Sequence, residues 1–288
     1  MATRFLFCTF VYGWYQSFIP SYVYSILKSY PQYACRILLR ESLEPGVRTA
    51  LQIVREAVDG QFEVIENVMP HLVGRCAGMR WLLGEEHFAG YDYGWIGDID
   101  FLHVREEPSF LAQEIDRATA IGKPYANVVR SPPAPKGVMT GLHFIVVKPY
   151  FARMQPIIAA ALQDPNIIQP DGKSGAEGME SPPSRGSISI PSTGSDEFLL
   201  YHLVKQGCGV LEADETRPYC WQNHHGLHLG VLRSGRTPLP SLSSNTRLWS
   251  ALGDILHDPV ISAILSHLHP AVVNCIQAAQ CHYYRTRA

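Results

Sequence analysis

The chain has 288 residues, of which 46% are hydrophobic and 17% charged, and a formal net charge of −2 at pH 7. This globular composition leaves room for one large domain or two small ones, and its scattered lysines and arginines argue against nucleic-acid binding as the main task. Seven cysteines, an odd number without a CxxC pair, argue against a disulfide framework and favour a reducing compartment such as the cytoplasm.

The first part of the chain alternates short apolar runs with segments of helical spacing. The predicted strands are residues 5–11, 35–39, 61–68 and 91–104, and the predicted helices are residues 18–29, 45–58 and 71–87. This order predicts an α/β fold with a mostly parallel sheet covered by helices. Ligands of such folds collect at the carboxyl ends of the strands.

The rest of the chain continues the alternation less regularly. We predict helices at residues 114–120, 151–163 and 196–205, strands at 125–129 and 141–147, and helices at 246–257 and 259–283. Residues 164–195, rich in Gly, Pro and Ser, are interpreted as a mobile loop or lid. We divide the chain into a main domain at 1–240 and a C-terminal helical extension at 241–288.

Two carboxylates two residues apart, Asp98 and Asp100, lie in the apolar and aromatic segment YDYGWIGDIDFLHV. Side chains two apart on a strand point the same way, so these carboxylates would repel each other unless a cation lay between them. A hard divalent cation takes such oxygen ligands and often bridges to phosphates. The alternative interpretation is a solvated turn.

A second candidate segment is NHHGLHLGVLR, which contains His225, His228 and Arg233. Histidine can add a nitrogen ligand to a metal held by carboxylates, a mixture that Mn²⁺ tolerates. Arg233 could neutralise a diphosphate by bidentate hydrogen bonds. Two alternatives stay open: ordinary loop histidines, or a zinc site from Cys220, His224 and His228, whose spacing matches no familiar zinc module.

In the order of these motifs, over about residues 4–235, the chain resembles the GT-A-fold glycosyltransferases, especially the glycogenin and bacterial lipopolysaccharide galactosyltransferase type. That family carries a DxD motif after alternating β and α elements, and later a metal-ligating His followed by a Gly and a basic residue. The resemblance implies that Asp98, Asp100 and His228 bind Mn²⁺ or Mg²⁺, with Asp98 also facing the donor, and that Arg233 binds phosphate. The family's Lys-Pro-Trp ending is missing after Gly230, so the subfamily and the stereochemistry stay open.

The resemblance also suggests donor contacts elsewhere in the main domain. In that family the nucleotide base is held by the loop after the first strand, which here implies Thr9, near the end of the predicted strand, and Tyr12, just beyond it. Arg75 or Arg80 would reach the diphosphate or donor sugar, and His143 would line the cleft for donor sugar and acceptor. The competing interpretations are a core tyrosine, surface arginines and a buried strand histidine.

The implied reaction transfers a sugar from a nucleotide-sugar, a UDP-sugar by this resemblance, to a hydroxyl of a glycan or lipid-linked acceptor in surface polysaccharide synthesis. If the anomeric centre inverts, Asp196 or Glu197 would accept the acceptor proton; if configuration is retained, the leaving phosphate could take it. Both acids could instead simply stabilise the start of a helix.

Two other classes of function remain in competition with this hypothesis. Nucleotidyltransferases also use paired acids and a metal, and a non-catalytic module could bind a sugar nucleotide or glycan around a structural metal. No run in the sequence reaches the roughly 18 apolar residues of a membrane helix, so we expect any membrane contact to be peripheral.

Overall fold

The fold was analysed in a computed structural model, which describes residues 3–69, 76–127, 138–163, 196–209, 225–234 and 246–287. The strands in this part of the chain are β1 (Phe5–Val11), β2 (Ala34–Leu39), β3 (Gln61–Ile65), β4 (Tyr93–Ile96), β5 (Phe101–His103), β6 (Tyr125–Ala126), β7 (His143–Val146) and β8 (Gly226–His228). The helices are α1 (Ile19–Ser29), α2 (Pro45–Ala57), α3 (Phe110–Ala120), α4 (Val147–Gln163), α5 (Asp196–Cys208), α6 (Thr246–Leu256), α7 (Pro259–Leu265) and α8 (Pro270–Arg287).

Six strands form one sheet in the order β3-β2-β1-β4-β7-β6. Strands β3, β2, β1 and β4 are parallel to one another, whereas β7 runs antiparallel to both β4 and β6. The predicted α/β fold with a mostly parallel sheet flanked by helices is therefore confirmed. Strands β5 and β8 form a separate antiparallel pair beside this sheet.

The central strand β1 has the sequence FLFCTFV, and all seven of its residues are buried. Because side chains alternate along a strand, Phe5, Phe7 and Val11 pack into one apolar cluster, while Leu6 and Phe10 pack into another. Helices cover both faces, as the continuous apolar run of a parallel strand requires. Strand β1 thus fixes the position of the loop that follows Val11.

The C-terminal helices contribute to the first of these clusters. Leu252 of α6, Ile264 of α7 and Ile276 of α8 are buried together with residues of β1 and α1. The boundary placed between residues 240 and 241 stays a prediction. Among the described helices none is long and apolar enough to cross a membrane alone, although α6 and α7, bent by 51°, meet the length and composition criteria as a pair.

Some predicted elements differ in the structure. The described part of the helix predicted at 71–87 instead forms two 3₁₀ segments, Cys76–Leu82 and Glu85–Phe88, because Gly78 and Gly84 lower the local helix propensity. The helix predicted at 259–283 divides into α7 and α8, since Pro270 begins a new helix more readily than it continues one. The segment predicted as a loop at 164–195 lies outside the described residues.

Candidate active site

A cavity of about 300 Å³ opens at the carboxyl ends of β1 and β4. Its described lining includes Tyr12 and Tyr15 beyond β1, together with the charged residues Arg80, Asp98, Asp100, Asp196, Glu197 and the imidazole of His228. The predicted strand over 91–104 is interrupted here, because residues 97–100 form a bend between β4 and β5. Asp98 and Asp100 therefore reach the pocket from this bend rather than from a regular strand.

Asp98, Asp100 and His228 meet in this pocket, with potential ligand atoms that all lie within 4.8 Å of one another. His228 Nε2 lies 3.0 Å from Asp100 Oδ1. The pairing of β5 with β8 creates this contact across 128 residues of sequence, since it sets His228 opposite Phe101. A backbone hydrogen bond of 2.8 Å from Leu229 N to Asp100 O extends the same pairing.

The three side chains suit a hard divalent cation. Two carboxylates and an imidazole form a ligand set that Mn²⁺ accepts, and Mg²⁺ shares the preference for carboxylate oxygen. Adjacent ligands in an octahedral shell with Mg²⁺-type bonds lie roughly 2.9 Å apart, close to the 3.0 Å between the His228 and Asp100 atoms. Asp98 and His228 are partly exposed to the cavity, so an ion could enter from solvent.

Charge in the pocket is strongly unbalanced towards the negative. Four carboxylates face one guanidinium among the described lining residues. Burial raises the pKa of Asp98, while Arg80 and His228 oppose that rise by favouring the ionised form. A site with this charge repels a diphosphate unless a cation also binds.

The guanidinium of Arg80 bridges two acids that are far apart in sequence. It forms ion pairs with Asp98 and with Asp196, the first residue of α5, and it packs 4.5 Å from the ring of Trp81. Burial alone would lower the pKa of Arg80, but the two carboxylates outweigh this effect and raise it. Arg80 therefore stays positively charged and connects the bend at Asp98 to the start of α5.

Gly141 provides the space in which Asp98 lies. A Cβ at this position would lie 2.5 Å from Asp98 Oδ2 and 3.2 Å from Arg80 Nη2. Sequence reasoning placed the nearby His143 in the donor cleft but did not identify this steric role of Gly141. An isolated glycine before a strand gives no signal of a close approach to a carboxylate.

The two predicted contacts near the nucleotide base have different surroundings. Tyr12 lines the pocket and stacks on Tyr15, with ring centroids 5.8 Å apart. Tyr15 was not predicted, although its aromatic type and its place beyond β1 could have suggested it. Thr9 is fully buried, and its hydroxyl donates a 2.7 Å hydrogen bond to the carbonyl of Gly97, so it fixes the acidic bend to β1.

His143 is fully buried in β7 and is not among the described residues of the pocket. Its Nδ1 lies 3.0 Å from the Asn127 amide nitrogen, and burial lowers its pKa to about 3. The imidazole is therefore neutral, so Nδ1 accepts a hydrogen bond from the amide. This environment corresponds to the strand-histidine alternative.

Several of the remaining predicted residues lie outside the described part of the chain or close to its limits. Arg75, Cys220 and His224 lie outside them, whereas the backbone of Arg233 belongs to the 3₁₀ segment Leu229–Ser234. His225 is not beside Asp98 and Asp100; its ring lies between Glu106 and Glu114.

No protein-family model matches the sequence, and a comparison with curated proteins finds no match. Solved structures to which the chain is similar include glycosyltransferases. Glycosyltransferase GlyE from Streptococcus pneumoniae is 14% identical with a TM-score of 0.40, and the match covers 56% of this chain and 38% of that one.

Two further solved structures show the same level of similarity. LgtC is 15% identical with a TM-score of 0.39, covering 55% of this chain and 65% of that one. A mannosyltransferase from Pyrobaculum calidifontis, in complex with GDP-Man and Mn²⁺, is 14% identical with a TM-score of 0.43, covering 100% and 83%. The chain thus spans less than two thirds of GlyE and of LgtC. These similarities are distant, so the function has to be inferred from the chain's own site.

Proposed function

We propose that this protein is a metal-dependent GT-A glycosyltransferase. The observation that carries the proposal is the convergence of Asp98, Asp100 and His228 in a pocket that also contains a buried arginine and two stacked tyrosines. Acids alone would fit many cation sites. Acids, a guanidinium and an aromatic platform within one cavity suit a ligand with phosphate, sugar and base parts.

The charge of the pocket supports a cation as a partner of the donor. Mn²⁺ or Mg²⁺ held by Asp98, Asp100 and His228 would neutralise negative charge that develops on a nucleoside diphosphate leaving group. The chain's own contribution is orientation, because Arg80 holds Asp98 and Asp196 in fixed positions and Gly141 leaves room for the Asp98 carboxylate. In this proposal Arg233 supplies a second cation for the diphosphate.

The aromatic side of the pocket suits a nucleobase. Base stacking on an aromatic side chain contributes on the order of 1–3 kcal/mol, and Tyr12 and Tyr15 offer two adjacent rings. Asp196 and Glu197 lie on the same cavity, where one of them would accept the acceptor proton in an inverting reaction. In a retaining reaction the leaving phosphate takes that proton.

The finer assignments follow from the family resemblance of the sequence. They are a UDP-sugar as donor, a glycan or lipid-linked hydroxyl as acceptor and surface polysaccharide synthesis as the process. We place the protein in the cytoplasm, with peripheral membrane contact at most. Five cysteines in the described part of the chain are free and four of these are buried, which agrees with a reducing compartment.

The proposal is tested by supplying a panel of nucleotide-sugars with Mn²⁺ and no acceptor. We expect slow hydrolysis of one donor that releases a nucleoside diphosphate and stops with EDTA. Pyrophosphate release from nucleoside triphosphate and sugar phosphate would instead identify a nucleotidyltransferase. Binding of a nucleotide-sugar without turnover, even with added glycan acceptors, would indicate a non-catalytic module.

A further inference from the structure

His225 lies between two carboxylates in the interior of the protein. Its Nδ1 is 2.8 Å from Glu106 Oε2, and its Nε2 is 3.2 Å from Glu114 Oε1. The His225 side chain is 6% exposed and that of Glu114 is 8% exposed. We call these three side chains the histidine clamp.

The geometry determines the charge of the clamp. An ionised carboxylate only accepts hydrogen bonds, so an imidazole that faces one at each nitrogen must donate from both and be protonated. Burial alone would lower the pKa of His225, but the hydrogen bonds and charges of Glu106 and Glu114 outweigh it and raise the pKa to about 9. The two nitrogens point away from each other, so one metal ion could not bind both.

Strand β8 connects the clamp to the proposed metal site. Gly226 and Leu227 are the only residues between His225 and His228, and they pair with His103 and Leu102 of β5. Val104 N donates a 3.0 Å hydrogen bond to His225 O, which closes the pairing at the clamp end. The short strand is therefore held at one end by the clamp and carries His228 at the other.

Strands β5 and β8 approach each other very closely. A Cβ at Gly226 would lie 1.9 Å from the carbonyl oxygen of Leu102. His225 itself has a φ of 43°, a conformation that few non-glycine residues adopt. Such a backbone persists only where surrounding contacts fix it, and the two ion pairs of the clamp supply those contacts.

We propose that His225 is a positioning residue, which through Glu106 and Glu114 sets the register of β8 and so places His228 against Asp100. The inference rests on the proposed metal site. The titratable groups that face His225 are Glu106, Glu114 and His103 of β5, and burial keeps His103 neutral by lowering its pKa. Loss of one carboxylate from the clamp weakens metal binding without removing any ligand.

The test compares Mn²⁺ affinity by calorimetry in the wild type, Glu114→Gln and Asp116→Asn. Asp116 is an exposed acid on the same helix and serves as the matched control. Outer-shell substitutions typically reduce metal affinity by about 10- to 100-fold, and we expect about 10-fold for Glu114→Gln and no change for Asp116→Asn. Equal affinities of Glu114→Gln and the wild type would overturn the proposal.

A pH series separates positioning by charge from a general structural role. Glu114→Gln lowers the pKa of His225, so the ratio of wild-type to variant affinity should grow between pH 6.5 and pH 8.5. A ratio that stays constant with pH would contradict the assigned role of the imidazolium. Glu106→Gln provides the same comparison if Glu114→Gln does not fold.

The failure of the metal proposal can be distinguished from the failure of this inference. If the wild type binds no Mn²⁺, the proposed function is wrong, and the ring ¹⁵N resonances of histidine then test the clamp. A shift of the His228 resonance in metal-free Glu114→Gln, absent in Asp116→Asn, would support positioning. An unchanged His228 resonance would overturn it.

Discussion

Two histidines three residues apart, His225 and His228, lie at opposite ends of the same short strand, and each contacts carboxylates. His228 is 28% exposed and meets Asp100 at the wall of the cavity, whereas His225 is 6% exposed and lies between two glutamates. At His225 the protonated imidazole itself supplies the positive charge that pairs with the two glutamates. At His228 the carboxylates of the pocket outnumber its cationic side chains among the described lining residues, and these side chains are partly open to solvent.

This difference shows that two histidines three residues apart can have opposite environments. A buried charge must be paired locally, and the histidine clamp does so with side chains that approach both ring nitrogens. A partly exposed group of acids, such as the one beside His228, can instead be neutralised by an ion that binds from solution. The comparison therefore predicts a metal-binding role for His228 and pH-dependent stability from His225.

The largest effect should follow from removing a carboxylate at the His228 end of β8. Asp100→Asn keeps the shape of a buried side chain but removes a ligand charge, so we expect Mn²⁺-dependent turnover to fall about 1,000-fold, equivalent to several kcal/mol of lost metal stabilisation. Steady-state kinetics measures this, with Asp116→Asn as the control of equal charge change. Wild-type turnover in Asp100→Asn would remove Asp100 from the metal site.

The histidine clamp should make the stability of the protein depend on pH. The folded-state pKa of His225, about 9, lies above its ordinary value of 6.5, so protonation favours the folded state. Its contribution, about 3 kcal/mol from this difference, is fully present below pH 6.5 and is lost as the pH rises through about 9. Urea unfolding between pH 6 and pH 9.5 should show a steeper loss of stability for the wild type than for His225→Gln. An equal loss of stability with pH in the two proteins would contradict a protonated His225 in the clamp.

Removing the nitrogen ligand should have an intermediate effect. His228→Gln removes a proposed ligand but leaves both carboxylates in place, so Mn²⁺ affinity should fall by at least the roughly 10- to 100-fold typical of outer-shell substitutions while the fold is retained. Calorimetric titration measures the change, and His267→Gln is a control outside the pocket. An unaltered titration would make His228 an ordinary histidine of the strand.

A smaller effect is expected from crowding the Asp98 carboxylate. Gly141→Ala places a methyl group against Asp98 Oδ2, which must move together with the Arg80 ion pair. We expect about a 10-fold loss of Mn²⁺ affinity, because a displaced ligand resembles a lost outer-shell contact. Full affinity, measured beside an unchanged melting temperature, would show that the carboxylate tolerates the shift.

The α/β architecture could be predicted because each strand of the first half carries its own signal. The run Phe5–Val11 is apolar on both faces, and the helix after it shows clear periodicity. The interruption of 71–87 and the break before Pro270 were missed, although their glycines and proline are visible in the sequence. Apolar spacing alone does not reveal where a helix is divided.

The site was predictable only in part, for a physical reason. Asp98 and Asp100 are adjacent and form a motif, and a known family order pointed from them to His228. The partners Glu106 and Glu114 are 119 and 111 residues from His225, and neither belongs to a motif. Such contacts depend on the register of β5 against β8, and a pairing of three residues leaves no recognisable pattern in the sequence.

The central claim is that this pocket binds a nucleoside diphosphate through a divalent cation held by Asp98, Asp100 and His228. Calorimetry of UDP, GDP and ADP, each with Mn²⁺ and with EDTA, tests it most directly. We predict that one diphosphate binds with Mn²⁺, that EDTA abolishes the binding, and that Asp100→Asn does so too. Binding that survives EDTA, or no binding to any of the three under either condition, would contradict the account.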